Sequence, residues 1–203
     1  DGSKSYFDPA NGGAMVTGQA TIGGTLYDFG TDGKIRNQIM GSPKTTVDAM
    51  VRDFNSQGKT YPSQIYAAKG ARTINEFCQV LYDEAVAEGV RPAVLYAQVM
   101  LETGWLQFEG SSVKSEQCNF GGIGATDKDP KPATFPDVRT GLRAQVQHLK
   151  AYGSKEPLKS LCVDPRFHLV TRGVAPYVSD LAGRWASDEE YGIKLNKLID
   201  RVA

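Results

Sequence analysis

The residues best placed to do chemistry lie in one short stretch, Leu95, Gln98, Val99 and Glu102. On a helix their spacing of three, four and seven puts them on one face. A carboxylate in line with an apolar stripe is partly stripped of water, which favours its neutral form and raises its pKa. Such a group can donate a proton near neutral pH, as the general acid of a glycosidase must. Glu102 also stands at the end of its helix, just before Thr103-Gly104-Trp105, where a negative charge opposes the helix dipole. The competing reading is an end-of-helix acid that points to water. Downstream, Asn119-Phe120-Gly121-Gly122-Ile123-Gly124 packs small residues around two apolar ones, so that a ligand or another backbone can come close. It is not a phosphate loop, because neither a preceding buried strand nor a following Gly-Lys-Ser/Thr is present. A plain turn is the alternative.

The elements that must hold these groups are helical. Residues 46–55 fit a short helix, with Val47, Met50, Val51 and Phe54 on one side. A turn-rich stretch follows to residue 71. Thr73 and Glu76 have the spacing of a capping box, opening a helix through Ile74, Phe77, Cys78, Leu81, Tyr82 and Ala85. Glu88-Gly89 ends it, and Pro92 suits the first turn of the next helix. Residues 138–152 form a further helix, and Ser187 to Glu190 offers a second capping box ahead of Ile193, Leu195, Leu198, Ile199 and Val202. The first forty residues differ: glycines punctuate short runs such as Thr25-Leu26-Tyr27-Asp28-Phe29, the pattern of short strands and tight turns, with Asp32-Gly33 a favourable hairpin turn. The run Tyr6-Phe7-Asp8, followed by Gly12-Gly13, is echoed by Tyr27-Asp28-Phe29, followed by Gly30 and Gly33, as in a solenoid of stacked hairpins.

Four motifs in order resemble the endo-β-N-acetylglucosaminidases of glycoside hydrolase family 73, peptidoglycan-cleaving autolysins of bacteria. They are Leu101-Glu102-Thr103-Gly104-Trp105, Asn119-Phe120-Gly121-Gly122-Ile123, residues 135–152, and Trp185-Ala186-Ser187-Asp188-Glu189-Glu190-Tyr191. The resemblance covers about residues 46–202. It implies a mainly α, lysozyme-like domain with a small β element, in which Glu102 is the catalytic acid. It also makes Trp105, Asn119, Phe120, Gly121 and Gly122 parts of the glycan groove. Trp185 stands where the family's Tyr-Ala-Thr-Asp motif has its tyrosine, so stacking is kept and a hydroxyl is lost. Tyr191 matches the second tyrosine, and Tyr177 is a minor groove candidate. A second acid is expected between the glycine loop and the next helix, where Asp127 is the first candidate and Asp137 the second; a short lobe there also suits substrate assistance by the N-acetyl group. The implied reaction cleaves the bond after N-acetylglucosamine, the close rivals being muramidase or lytic transglycosylase action on the same glycan and plain wall binding without catalysis.

Residues 1–41 resemble cell-wall-binding (choline-binding) repeats, although Gln19 follows Gly18 where such units carry tryptophan. The expected division is therefore a repeat fragment over 1–41, a connecting segment over 42–72 and the catalytic domain over 73–203. The partners implied are peptidoglycan strands, with a wall polymer at the repeats. A chain that starts at Asp1 without a basic-then-apolar leader reads as a piece or mature product of a secreted, Gram-positive-type surface protein.

Composition trims the field further. The 203 residues carry 23 Lys+Arg and 23 Asp+Glu, and the net charge of zero excludes a chain-wide nucleic-acid footprint. No apolar run approaches the ~20 residues of a membrane span. Three cysteines without a CxxC pair and two histidines argue against a zinc ribbon or a His-rich metal site, so no metal or organic cofactor is implied. One disulfide is allowed, though spacing does not choose the pair. His148 and His168 read as surface or structural residues, since no cysteine stands in a nucleophile context.

Overall fold

The computed structural model describes residues 4–23, 25–30, 32–124 and 131–203. Asp127, the first candidate for a second acid, lies outside the described residues, as do residues 125–130 as a whole.

Two antiparallel hairpins begin the chain. Strands β1 (Phe7–Asp8) and β2 (Ala14–Met15) pair with each other, as do β3 (Gly18–Ile22) and β4 (Thr25–Phe29). The turn after β4 closes where Gly30 N–H donates to the Lys34 carbonyl and Phe29 bridges Ile35, with Gly33 at φ 70°. Only glycine takes that left-handed region without strain.

Among the described residues six α-helices follow: α1 (Val47–Ser56), α2 (Ser63–Tyr66), α3 (Ile74–Glu88), α4 (Pro92–Thr103), α5 (Val138–Gly153) and α6 (Tyr191–Val202). The fold is mainly α. Helix α3 starts as its spacing predicts: Thr73 Oγ1 accepts from Glu76 N–H at 3.1 Å. The Glu76 carboxylate, however, accepts from the amide of Arg72 rather than from Thr73. At α6 the box over 187–190 does not form. Asp188 instead accepts from Glu190 N–H at 2.9 Å, and the helix begins at Tyr191.

Helix α4 is the axis of the body. Every residue from Pro92 to Met100 is buried, so the one-face reading of its sequence understates it: a helix enclosed on all sides is apolar nearly all round. Helices α3, α5 and α6 pack about it, and α1 lies against α3 and α6. Met50, Phe54, Tyr66 and Ala71, from the stretch expected to connect, sit in the same core as Leu95 and Leu142. Two glycines set how closely elements approach. A Cβ on Gly141 of α5 would lie 1.8 Å from the Cys118 carbonyl oxygen, and one on Gly192 of α6 would lie 2.6 Å from Ser179 Cα. All three cysteines are free thiols; burial pushes Cys78 up to about 12.

Candidate active site

Glu102 is in the last turn of α4, where the chain stops the helix abruptly. Gly104 takes φ 55°, and the amides of Trp105 and Gly104 bond back to the Met100 and Leu101 carbonyls in a Schellman-type cap. Trp105, Leu106 and Phe108 then also have positive φ (63°, 63° and 56°). Such values are uncommon for bulky residues and need surroundings that enforce them. Thr103 supplies part of that: its hydroxyl donates to the Val99 carbonyl at 2.7 Å and accepts from Leu106 N–H at 2.8 Å. The tight exit leaves the Glu102 carboxylate at the wall of a cavity instead of beside a continuing helix.

That cavity has a volume of about 240 Å³ and is lined by Glu102, Ser111, Ser112, the Gly121-Gly122 turn and Trp185, among others. A second, of about 150 Å³, shares Gly121, Gly122 and Trp185 and continues to His148, Tyr152, Arg166 and Arg184. Together they form a groove with Trp185 between its two parts.

Behind Glu102 runs a buried polar chain. The Tyr191 hydroxyl donates to Glu102 Oε1. Gln98 Nε2 donates to the same hydroxyl at 3.1 Å, and Gln145 Nε2 donates to Gln98 Oε1 at 2.9 Å. The phenol therefore has its acceptor side occupied and its one proton aimed at the carboxylate. Burial drives the Glu102 carboxyl above the usual range, while hydrogen bonds from Tyr191 and Trp185 pull it partly back. Its surface is only half-buried, but the protein atoms packed round it outweigh both hydrogen bonds. The phenol of Tyr191 is raised too, first by burial and then by the neighbouring Glu102 charge. The result is a carboxyl group that holds its proton more tightly than an ordinary glutamate while the residue lines the groove.

Helix α5 supplies the opposite wall by spacing alone. Gly141, Gln145, His148 and Tyr152 follow one another at four, three and four residues, a single face. Gly141 lets that face approach Cys118, and Gly121 lets the glycine turn lie on Gln145, whose Cδ would be 2.9 Å from a Cβ there.

Several residues expected in the groove have other tasks. Trp105 packs against Phe54 and Tyr96, with the Arg201 guanidinium 5.8 Å from its ring, and does not line the cavity. Phe120 does line the cavity, but from beneath: it is wholly buried, its ring 5.2 Å from that of Phe77. Asn119 touches the cavity, yet its amide is spent on its own loop: it donates to the Ile123 and Ala133 carbonyls and accepts from Ile123 N–H. Asp137 caps α5, accepting from Thr140 N–H at 2.7 Å, and lines neither cavity. Tyr177 lies under Arg36, paired with Gln38, and is likewise absent from both linings. Gly121, Gly122, Trp185 and Tyr191 do gather around Glu102.

Sequence reasoning passed over Gln145 and Asp164, and it read His148, which lines the second cavity, as a surface or structural residue. His148 Nδ1 is 2.7 Å from Asp164 Oδ2, and its ring meets that of Trp185 edge to face at 5.0 Å. The spacing of Gln145, His148 and Tyr152 on one helix was the available signal. For Gln98 the signal was its place one turn before Glu102. No group of three or more metal-binding side chains is found among the described residues.

Residues 78–203 match the family described as mannosyl-glycoprotein endo-beta-N-acetylglucosaminidase, the glucosaminidase domain. The chain belongs to this family. It is accordingly a glycoside hydrolase, and Glu102, Gly121, Trp185 and Tyr191 all fall within the matched region. An uncharacterized protein of Borreliella burgdorferi is 44% identical over 151 residues, covering 71% of this chain and 74% of the relative. The crystal structure of the catalytic domain of the autolysin Auto from Listeria monocytogenes is similar at a TM-score of 0.41 and 20% identity, over 78% of this chain and 96% of that one. That likeness is too slight to carry an argument about this site.

Proposed function

We propose that the protein is a peptidoglycan hydrolase that cleaves the β-1,4 bond after N-acetylglucosamine, with Glu102 as general acid. The observation that carries this reading is the Glu102 carboxyl itself: raised above the usual range by burial, hydrogen-bonded by Tyr191, and open to a groove bordered by Gly121, Gly122 and Trp185. In this mechanism the glycan lies in the groove with a sugar ring against Trp185. Glu102 gives its proton to the glycosidic oxygen as the bond to the anomeric carbon breaks, and the ring gains oxocarbenium character. Tyr191 keeps its own proton and donates it to Oε1 only in a hydrogen bond, so the proton transferred is the carboxyl's own.

The short segment between the glycine turn and α5 suits attack by the substrate's own acetamido carbonyl over a protein nucleophile. Water then opens the resulting ring intermediate, and Glu102, now anionic, takes its proton. A role on the cell wall places the protein outside the cytoplasm.

The test is digestion of purified cell walls with product analysis by mass spectrometry. New reducing N-acetylglucosamine ends are the expected result. Anhydro-muramic ends would make it a lytic transglycosylase, new reducing muramic ends a muramidase, and either would overturn the assigned bond. Unchanged turnover in Glu102→Gln would overturn the assigned acid.

A further inference from the structure

A larger cavity, of about 670 Å³, lies away from Glu102, where the N-terminal hairpins meet the start of α4 and the end of α6. One side is aromatic. Tyr27 and Phe29, two apart on β4, share a strand face with ring centroids 6.1 Å apart, and Tyr6 joins them in the lining. Phe29 is buried, so it backs Tyr27, while Tyr6 and Tyr27 remain partly exposed.

The other side is cationic. Arg91, just before α4, lines the cavity at only 8% exposure. Its Nη1 donates to Asn37 Oδ1 at 3.2 Å and to the Gln38 carbonyl at 3.4 Å, but its Nε is buried without an acceptor. Among the described residues no carboxylate stands within ion-pair distance of it. Arg36 and Lys44 line the same cavity, with the Lys44 ammonium 5.9 Å from the centre of the Tyr27 ring. The acidic side chain in the lining, Asp200, is already engaged by Lys4 at 3.0 Å. A buried guanidinium with an unfilled donor is unfavourable unless an anion completes it.

These charges decide the kind of ligand. A quaternary ammonium needs aromatic faces free of competing positive charge; here Arg36, Lys44 and Arg91 would repel it. Partly exposed tyrosine rings beside a cluster of cations instead match a flat ring that carries an oxyanion. We propose that this cleft is a second binding site, for a sugar bearing a carboxylate or phosphate, in which Arg91 and Lys44 hold the anion and Tyr6 and Tyr27 face the ring. It would let a chain of zero net charge hold an acidic wall polymer by a local cluster while Glu102 works elsewhere. The site is independent of the reaction assigned to Glu102.

The experiment is calorimetric titration of the whole chain with glucuronic acid and with glucose 6-phosphate, using glucose and choline as neutral and cationic contrasts. At least one acidic sugar should bind tenfold or more tightly than glucose or choline, and the tighter of the two names carboxylate or phosphate as the anion. Lys44 is exposed, so Lys44→Glu should keep the native circular dichroism and weaken that binding at least tenfold. Arg91→Gln should do the same, with Lys44→Glu deciding the matter where Arg91→Gln fails to fold. The titration is repeated in Glu102→Gln, where the affinity should be unchanged. Failure of both acidic sugars to bind, equal binding of glucose, or insensitivity to Lys44→Glu would overturn the proposal. So would loss of binding in Glu102→Gln, which would put the anion in the glycosidase groove. Sugar binding without wall digestion would instead count against the Glu102 reading alone.

Discussion

The Tyr191 hydroxyl at the first residue of α6 donates to the Glu102 carboxylate at the last turn of α4, and Gln98 occupies the phenol's other side. Two helix ends, 89 residues apart in sequence, thus share one proton arrangement. The hydrogen bond favours the charged form of Glu102 while burial opposes it.

Removing that hydrogen bond has a definite sign. In Tyr191→Phe the carboxyl loses a contact that lowers its pKa, so the pKa rises further. The alkaline limb of the pH–rate profile should move to higher pH, and turnover should fall by about tenfold or more as the acid loses its orientation. Rates measured across pH on purified walls check both; an alkaline limb moving downward would contradict the arrangement.

Glu102→Gln separates catalysis from stability. Turnover should fall by at least ~100-fold, the scale of general acid catalysis. The folded state binds the Glu102 proton more tightly than the unfolded chain, so its contribution is fully present below the unfolded pKa and is lost as pH rises through the folded one. At neutral pH the glutamine variant should therefore unfold at a temperature no lower than the parent, read by thermal melts at two pH values.

A buried ion pair makes the opposite pH prediction. Lys150 Nζ and Glu88 Oε2 are 2.9 Å apart, both 1% exposed. Burial pushes the Glu88 carboxyl up, but hydrogen bonds from the Ser160 hydroxyl, Lys150 and the backbone of Lys159 and Ser160 outweigh it and hold it below the usual range. Its stabilisation is present above the unfolded pKa and lost as pH falls through the folded one. Lys150→Met, which strands the carboxylate, should cost about 3–5 kcal/mol at neutral pH. Urea unfolding should show that deficit shrinking in acid.

Gly141→Ala tests the close approach that brings α5 to the groove. Alanine in a helix interior ordinarily gains about 1 kcal/mol over glycine. Here its Cβ would sit 1.8 Å from a backbone oxygen, so the sign should reverse, with a loss of about 1–3 kcal/mol from overpacking. The displaced α5 should also lower wall-digesting activity, since Gln145 and His148 move with it.

Much of the fold is legible in the sequence. Helices α1, α3, α4 and α5 follow from apolar spacing and caps, because those signals are local: a hydroxyl bonding three residues on, a proline with no donor to lose. The prominence of Glu102 came from its place on a stripe beside Gln98, and the glycine turn came from residue type alone. Trp105 could not be told from a groove aromatic, since a ring reads the same whether it faces a sugar or a core. The box at Ser187 does not form because Asp188 offers the Glu190 amide a nearer acceptor.

The sequence by itself therefore determined the helical body, the order of its motifs and the carboxylate worth testing, all carried by interactions within one turn of the chain. Only the tertiary structure decided what surrounds that carboxylate. Burial, the Tyr191 donor and the Gln98–Gln145 chain come from three helices, and the cations of the second cleft come from segments as distant as Lys44 and Arg91. Such effects depend on distance through space and on exclusion of water, neither of which is written in the spacing of residues along a chain.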